Sequence, residues 1–320
     1  MESVGVSALA GEEVEALFRR SQRLLWGLAY RMLGSAADAD ELLQEAFLRL
    51  LERPPADTGA PLQPWLVRVT MNLARDRLRR RKVRGYEGEW LPGPVDSERL
   101  LDLGPEGPPA ERPDVRYERL ESASFAFLIA LEALTSRQRA VLLLRDVLGY
   151  DVRETAAALG LSRDNVKTTH LRARRAMESF ERARRPLDEA ARAAHQDALG
   201  RFALALESGD APALLALLAP GVVARSDGGG EFHAARLPVQ GPARVAAFFL
   251  GLGRKRPEGT RFSLREVNGL PALLVEIPPM GPGVAPRTLL RLELDAAGKV
   301  SQVHAILATR KLAGLGPASA

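Results

Sequence analysis

A chain of 320 residues is long enough for two or three domains, each with its own core. It has no cysteine, which excludes a disulfide scaffold, a thiolate metal site and cysteine catalysis, and fits a reducing cytoplasm. The net charge of +5 and pI near 9.8 point weakly to an acidic partner, and no apolar run approaches the roughly 18 residues of a membrane span.

In chain order, the opening "MESVGVSALAGEEVEALF" lacks the basic lead and apolar stretch of a signal peptide. Residues 12–84 then read as helices. Val14, Leu17 and Phe18, followed by Leu24, Leu25 and Leu28, recur at helical spacing. Gly34 and Ser35 punctuate, and a second helix is predicted from Ala36 to Leu51. "ERPPADTGAP" is a turn by composition, and a third helix carries Trp65, Val69, Leu73 and Leu78. Charge is segregated along these helices. Asp38, Asp40, Glu41, Glu45 and Glu52 stand against Arg49 in the second, whereas the stretch from Arg68 to Arg84 has eight basic residues and the single acid Asp76. Such a chain presents one face to nucleic acid and another to protein.

Residues 87–116 are rich in proline, glycine and acid, and read as an extended linker rather than a packed element. Helical periodicity returns from about Tyr117 to Arg185, Pro186 interrupts it, and one more helix is predicted to end near Glu207. Beyond Gly209, the β-type runs "FSLREV", "ALLVEI", "TLLRLEL" and "VSQVHAIL" alternate with Gly/Pro turns, and a helix is predicted near Pro242 to Leu252. This third part is α+β.

The strongest local motif is "DVRETAAALGLSRDNVKTTHLRARRAM", which reads as a helix-turn-helix. Ala156 is small where two helices cross, Gly160 supplies the turn, and Val166 plugs the second helix onto the first. Ser162 is a natural N-cap. The second helix turns Arg163, Lys167, Thr168, Arg172 and Arg175 away from Val166, Ala173 and Met177, as a helix entering a major groove requires. The plainer alternative is a helical hairpin whose arginines form a solvated face.

Taken together, "DADELLQEAFLRLLE", "NLARDRLRRRK" and "LTSRQRAVLLLRDVLGYDVRETAAALGLSRDNVKTTHLRARRAM" resemble, in this order, an extracytoplasmic-function (group IV) RNA polymerase sigma factor. The resemblance implies two all-α sigma modules, a helical region two (1–86) and a helix-turn-helix region four (117–185). It implies that Asp38, Asp40, Glu41, Leu42, Gln44 and Glu45 dock on core RNA polymerase. Asn72, Arg75, Asp76, Arg79 and Arg80 would grip the downstream promoter element and its opened non-template strand. Arg163, Lys167, Thr168, Arg172 and Arg175 would read the double-stranded upstream element. Trp65 reads as a core anchor before a stacking platform. The family commonly carries a basic residue and then Leu-His where this chain has Thr169-His170-Leu171, so His170 falls at a core-facing position and is read as packed.

The linker (87–116) would thread the polymerase channel later used by RNA. Its acids, Glu87, Glu89, Asp96, Glu98, Asp102, Glu106, Glu111, Asp114 and on to Glu118, mimic an RNA backbone; a plain tether is the alternative. The remaining residues, 186–316, with a helix-rich start ("HQDALGRFALALESGDAPALLALLAPGVVARS") and then strands around a helix, resemble a SnoaL-like α+β cone, a fold shared by enzymes and binding modules. Its acid/base candidates are Asp227, His233 and His304, with no metal-ligand spacing among them and no cofactor motif. No catalytic role is assigned. "SDGGGE" lacks the pattern of a phosphate loop and reads as a tight turn. One branch of the family pairs such an Asp-Gly-Gly-Gly motif with a Trp-Leu-Pro linker motif, here "WLPGP", and a C-terminal motif ending in Lys-Leu, here "TRKL". That branch implies regulation in cis, with Trp90, Leu91, Pro92, Asp227, Gly228, Gly229 and Gly230 as contacts. The expected protein is cytoplasmic, monomeric when free, and has no membrane partner. A ligand-binding helix-turn-helix repressor or activator, and a cone-fold enzyme fused to a DNA-binding arm, are the rival readings; both leave the acidic and basic helices unexplained.

Overall fold

The structure is a computed structural model that describes residues 11–56, 61–102, 121–183 and 186–316. Two compact units emerge, Met1–Arg84 with Arg99–Arg184, and Gly85–Glu98 with Arg185–Ala320. The linker acids Glu106, Glu111, Asp114 and Glu118 lie outside the described residues.

The first unit is all-α. Helices α1 (Gly11–Leu33), α2 (Ala36–Glu52) and α3 (Gln63–Arg84) pack together. Gly34 leaves α1 with φ +66°, and the Ser35 hydroxyl accepts the Asp38 amide at 3.3 Å to start α2. On α2 the stripe Ala36, Ala39, Leu42, Leu43, Ala46, Phe47 and Leu50 is buried. Helix α3 has no comparable single stripe; Leu66, Val67, Thr70, Met71, Leu73, Ala74 and Leu78 are all buried. The cause is tertiary, because α3 packs against α1 and α2 and also against two helices of the second half of this unit.

That half contains α4 (Ser97–Asp102), α5 (Phe125–Leu131), α6 (Ser136–Leu142), a π-helical turn (Leu143–Val147), α7 (Val152–Leu159) and α8 (Arg163–Ala183). The two halves meet on α3, which contacts both α6 and α7. Buried Arg139 donates to the carbonyls of Met32 and Leu131, both at 2.7 Å, and pairs with Glu132, which also takes Arg81. Burial pulls the Arg139 guanidinium below its ordinary range, and the neighbouring Glu132 carboxylate opposes this.

The second unit is α+β, as expected. Helices α9 (Glu189–Ser208), α10 (Ala211–Leu217) and α11 (Pro242–Arg254) accompany a six-stranded sheet of order β2-β1-β6-β5-β4-β3. The strands are β1 (Leu218–Asp227), β2 (Val239–Gln240), β3 (Arg261–Val267), β4 (Leu270–Glu276), β5 (Arg287–Leu294) and β6 (Val300–Ile306). Strands β1 and β6 run parallel and the other pairs antiparallel. The core lies between the helices and one sheet face, with Phe202, Leu214 and Phe249 against Val222, Ala224, Leu290, Leu292 and Val303.

Two expectations change here. "LAPGVVARSD", read as part of a helix-rich start, is strand β1, whose register shifts across Pro220 and Gly221. Pairing along β6 outweighs the local helical pattern. The first part of the linker is not extended free chain, since Leu91, Pro92, Gly93, Pro94 and Val95 are buried in this unit. The Val95 amide donates to the Asn268 side chain at 3.1 Å, and the Asn268 amide returns to the Val95 carbonyl at 3.0 Å. A run of apolar residues and prolines with few amides to satisfy is suited to burial against a sheet.

Candidate functional site

The helix-turn-helix forms as its spacing requires. Gly160 closes α7 in the left-handed region (φ +63°, ψ +42°), and the Ser162 hydroxyl accepts the Asn165 amide at 3.2 Å to start α8. Ala156, Val166, Ala173 and Met177 are buried. The five residues expected to read the upstream element, Arg163, Lys167, Thr168, Arg172 and Arg175, are all exposed on α8. His170 departs from expectation. It is half-buried, and its Nε2 lies 2.7 Å from the carboxylate of Asp146 instead of within an apolar core.

On α3, Asn72, Arg79 and Arg80 are exposed, whereas Arg75 and Asp76 are half-buried. Arg79 pairs with Asp76 at 2.6 Å. Burial and the nearby Arg79 and Arg137 lower the Arg75 pKa from its ordinary value. Trp65 is half-buried, with Leu66 and Val67 beside it in the core.

On α2, Glu41 and Gln44 are exposed and Asp38, Asp40 and Glu45 are half-buried. Leu42 is a correction: it is 0% exposed and belongs to the helical core, so it offers no surface to a partner. The exposed apolar residues of this helix are Leu48 and Leu51, six and nine residues further along; charge patterning alone did not reveal them. Arg77 of α3 bridges Glu41 and Glu45, both at 3.2 Å. Asp40 accepts from the Trp26 indole at 2.5 Å and from Arg99 at 2.7 Å, with the Arg99 guanidinium 4.4 Å over the Trp26 ring.

In the second unit, the three short motifs meet at one carboxylate. Asp227, the last residue of β1, is buried. Its Oδ1 accepts from the Tyr86 hydroxyl at 2.6 Å and the Gly229 amide at 3.0 Å; its Oδ2 accepts from the Leu91 amide at 2.7 Å and the Lys311 ammonium. Lys311 also donates to the Leu91 carbonyl, and its Nζ lies 4.3 Å from the Trp90 ring and 4.7 Å from the Tyr86 ring. Lys311 sits on α12 (Thr309–Leu312), placed by the Asp227 carbonyl, which accepts the Leu307 and Ala308 amides. The glycines follow from the same crowding. A Cβ on Gly228 would stand 2.4 Å from the Phe232 carbonyl oxygen, and one on Gly229, already at φ +62°, 2.7 Å from the Ala308 Cβ. Glu231 accepts the Thr309 amide at 3.3 Å.

Asp227 is the node just described, and the His233 amide donates to the Gly283 carbonyl at 2.7 Å. His304 is wholly buried on β6, in register with Arg225 of β1 and Arg291 of β5. Burial, followed by those two guanidinium groups, pushes its pKa down to about 3. On acidification below pH 6.5 the unfolded chain takes up a proton that the folded chain refuses, so stability falls with pH. Between pH 7 and 5 the second unit is expected to lose roughly 2 kcal/mol to this group. Urea unfolding at the two pH values checks it, and H304Q should flatten the difference.

Comparison with known proteins agrees with these two modules. Residues 17–84 match the Sigma-70 region 2 family and residues 125–177 the Sigma-70, region 4 family. The ECF RNA polymerase sigma factor SigJ of Mycobacterium tuberculosis is 31% identical over 246 residues, 76% of this chain and 74% of that protein. A probable ECF RNA polymerase sigma factor of the same organism, SigI, is 28% identical over 297 residues, covering 92% and 93%. The crystal structure of the M. tuberculosis SigJ protein is similar with a TM-score of 0.68 at 28% identity, over 94% of this chain and 98% of that one. With the acidic α2, the basic α3 and the helix-turn-helix in this order, the chain belongs to the ECF RNA polymerase sigma factors, non-enzymatic proteins that direct promoter recognition.

Proposed function

We propose that this chain binds core RNA polymerase through α2, grips and opens the downstream promoter element with α3, and reads the upstream duplex with α8, in the cytoplasm. The second unit regulates this activity in cis. The observation that carries the regulatory reading is the Asp227 node, which holds residues 86–91 by a buried carboxylate, a buried ammonium and two aromatic rings.

Residues 85–120 connect α3 with the helices of region four, and 85–98 of them belong to the second unit. Pinning that stretch shortens the free tether and limits how far the two DNA-binding modules separate. Releasing it favours the open arrangement that a promoter-bound factor needs. Run-off transcription with purified core polymerase tests both parts. The full-length chain should make initiation promoter-specific, and its failure to do so removes the sigma reading. W90A, which strips one face of the Lys311 cage, should raise run-off yield several-fold; unchanged or reduced yield removes the cis restraint.

A further inference from the structure

We infer that Asp146 and His170 form a clasp that seats the recognition helix α8, and that this pair sets which upstream bases the helix reads. The inference rests on the reading of α8 as the promoter-reading helix.

The argument starts in the helix before the motif. Between Leu143 and Val147 the chain widens into a π-helical turn, with the Leu148 amide bonding back to the Leu143 carbonyl at 3.0 Å. Such insertions are uncommon and cluster at functional positions. The turn carries Asp146, whose carboxylate meets the Nε2 of His170 at 2.7 Å and the guanidinium of Arg174 at 3.5 Å. One carboxylate thus bridges positions i and i+4 of α8 from outside the helix.

The buried stripe of α8 runs through Val166, Thr169, Ala173 and Met177, is polar at Thr169, and leaves Leu171 53% exposed. A family member with Leu-His in place of His170-Leu171 would put its leucine where His170 stands. Here a polar contact replaces that apolar one, and a polar contact has direction where a packed leucine has only volume. Rotation of α8 about its axis carries Arg163, Lys167, Thr168 and Arg172 with it, so the residue that fixes rotation also fixes which base edges those side chains reach. His170 and Asp146 touch no base in this account; they are positioning residues.

A basic groove surrounds the pair. Arg145 from the π turn and Lys167, His170 and Arg174 from α8 line one groove together with Val152 of α7, Val166 and Leu171. Asp146 is the carboxylate facing this basic set from the π turn. Arg174, 62% exposed, lies beside an arriving DNA backbone; when it turns to phosphate, Asp146 keeps His170 as its partner.

The experiment uses the full-length chain and a random duplex library to select the upstream sequence, followed by affinity measurements on the selected duplex and its single-base variants. For H170Q and D146N we expect altered base preference, at least a tenfold change in the ratio between best and second-best base at one or more positions. Melting temperature should stay within a few degrees, and the double variant should be no worse than either single one. D146E should retain most of the wild-type preference. Identical selected sequences for wild type and both variants overturn the clasp, as do additive effects or losses that track a fall in melting temperature. If the wild-type chain selects no sequence at all, the promoter reading fails together with the clasp; selection by the wild type that is unchanged in the variants sinks the clasp alone.

Discussion

D227N is expected to cost the second unit about 3–5 kcal/mol, the scale for breaking a buried ion pair from one side. The side chains of Asp227 and Lys311 are 0% and 7% exposed, so removing the carboxylate's charge leaves an ammonium with no water to receive it. The Trp90 and Tyr86 rings stabilise that cation in part, and the Leu91 carbonyl remains as an acceptor, which places the loss below the full cost of burying a bare charge. The reverse change should be milder. K311M leaves Asp227 with three donors, the Tyr86 hydroxyl and the Leu91 and Gly229 amides, and a carboxylate so bonded tolerates burial. Thermal unfolding of the full-length chain should therefore fall by roughly 10 °C for D227N and by clearly less for K311M. Equal losses would show that the ion pair, and not the carboxylate's hydrogen bonds, holds the node. D227N should also free residues 86–91, so the same protein is expected to become sensitive to limited proteolysis near Glu87 and Glu89.

L48D is expected to weaken association with core polymerase by roughly 30-fold or more, the effect of losing about 2 kcal/mol from an interface anchor. Leu48 and Leu51 are 55% and 56% exposed on the helix that carries Glu41 and Gln44. On the proposed docking through α2, two exposed leucines beside acidic residues would combine an apolar contact with charge steering, with the leucines carrying the affinity. Because Leu48 is already in water, the substitution should leave the melting temperature of the chain nearly unchanged. E41Q, by contrast, should change the association rate and its salt dependence more than the dissociation rate. An L48D chain that binds core polymerase as tightly as wild type would move the docking surface off α2.

The contrast between Leu42 and Leu48 shows where sequence reading stops. Both are leucines on one acidic helix, six residues apart. The charge pattern marks the helix as a contact surface, but the packing of α1 and α3 decides which leucine is buried. A similar limit applies to α3. Its basic run is plain in the sequence, yet its scattered apolar residues make sense only once helices of region four are seen packed on it as well as α1 and α2.

What the sequence determined by itself is what depends on residues within one or two helical turns. The Ala156–Gly160–Val166 spacing, the Ser35 and Ser162 caps and the order of acidic and basic helices are local, and they specified the helix-turn-helix and both sigma modules before any packing was known. The four β-type runs likewise became β3 to β6. Only the tertiary structure decided the rest. Strand β1 needed β6, about 80 residues away, to override its helical look. The partners of Asp227 are separated from it by 141, 136 and 84 residues. Short motifs that distant in the chain are legible singly, as an acid before glycines, an aromatic before proline, a lysine before leucine. That they form one buried node follows from the sheet that brings the end of β1, the linker and α12 together, because a charge survives burial only where its partners are already in place.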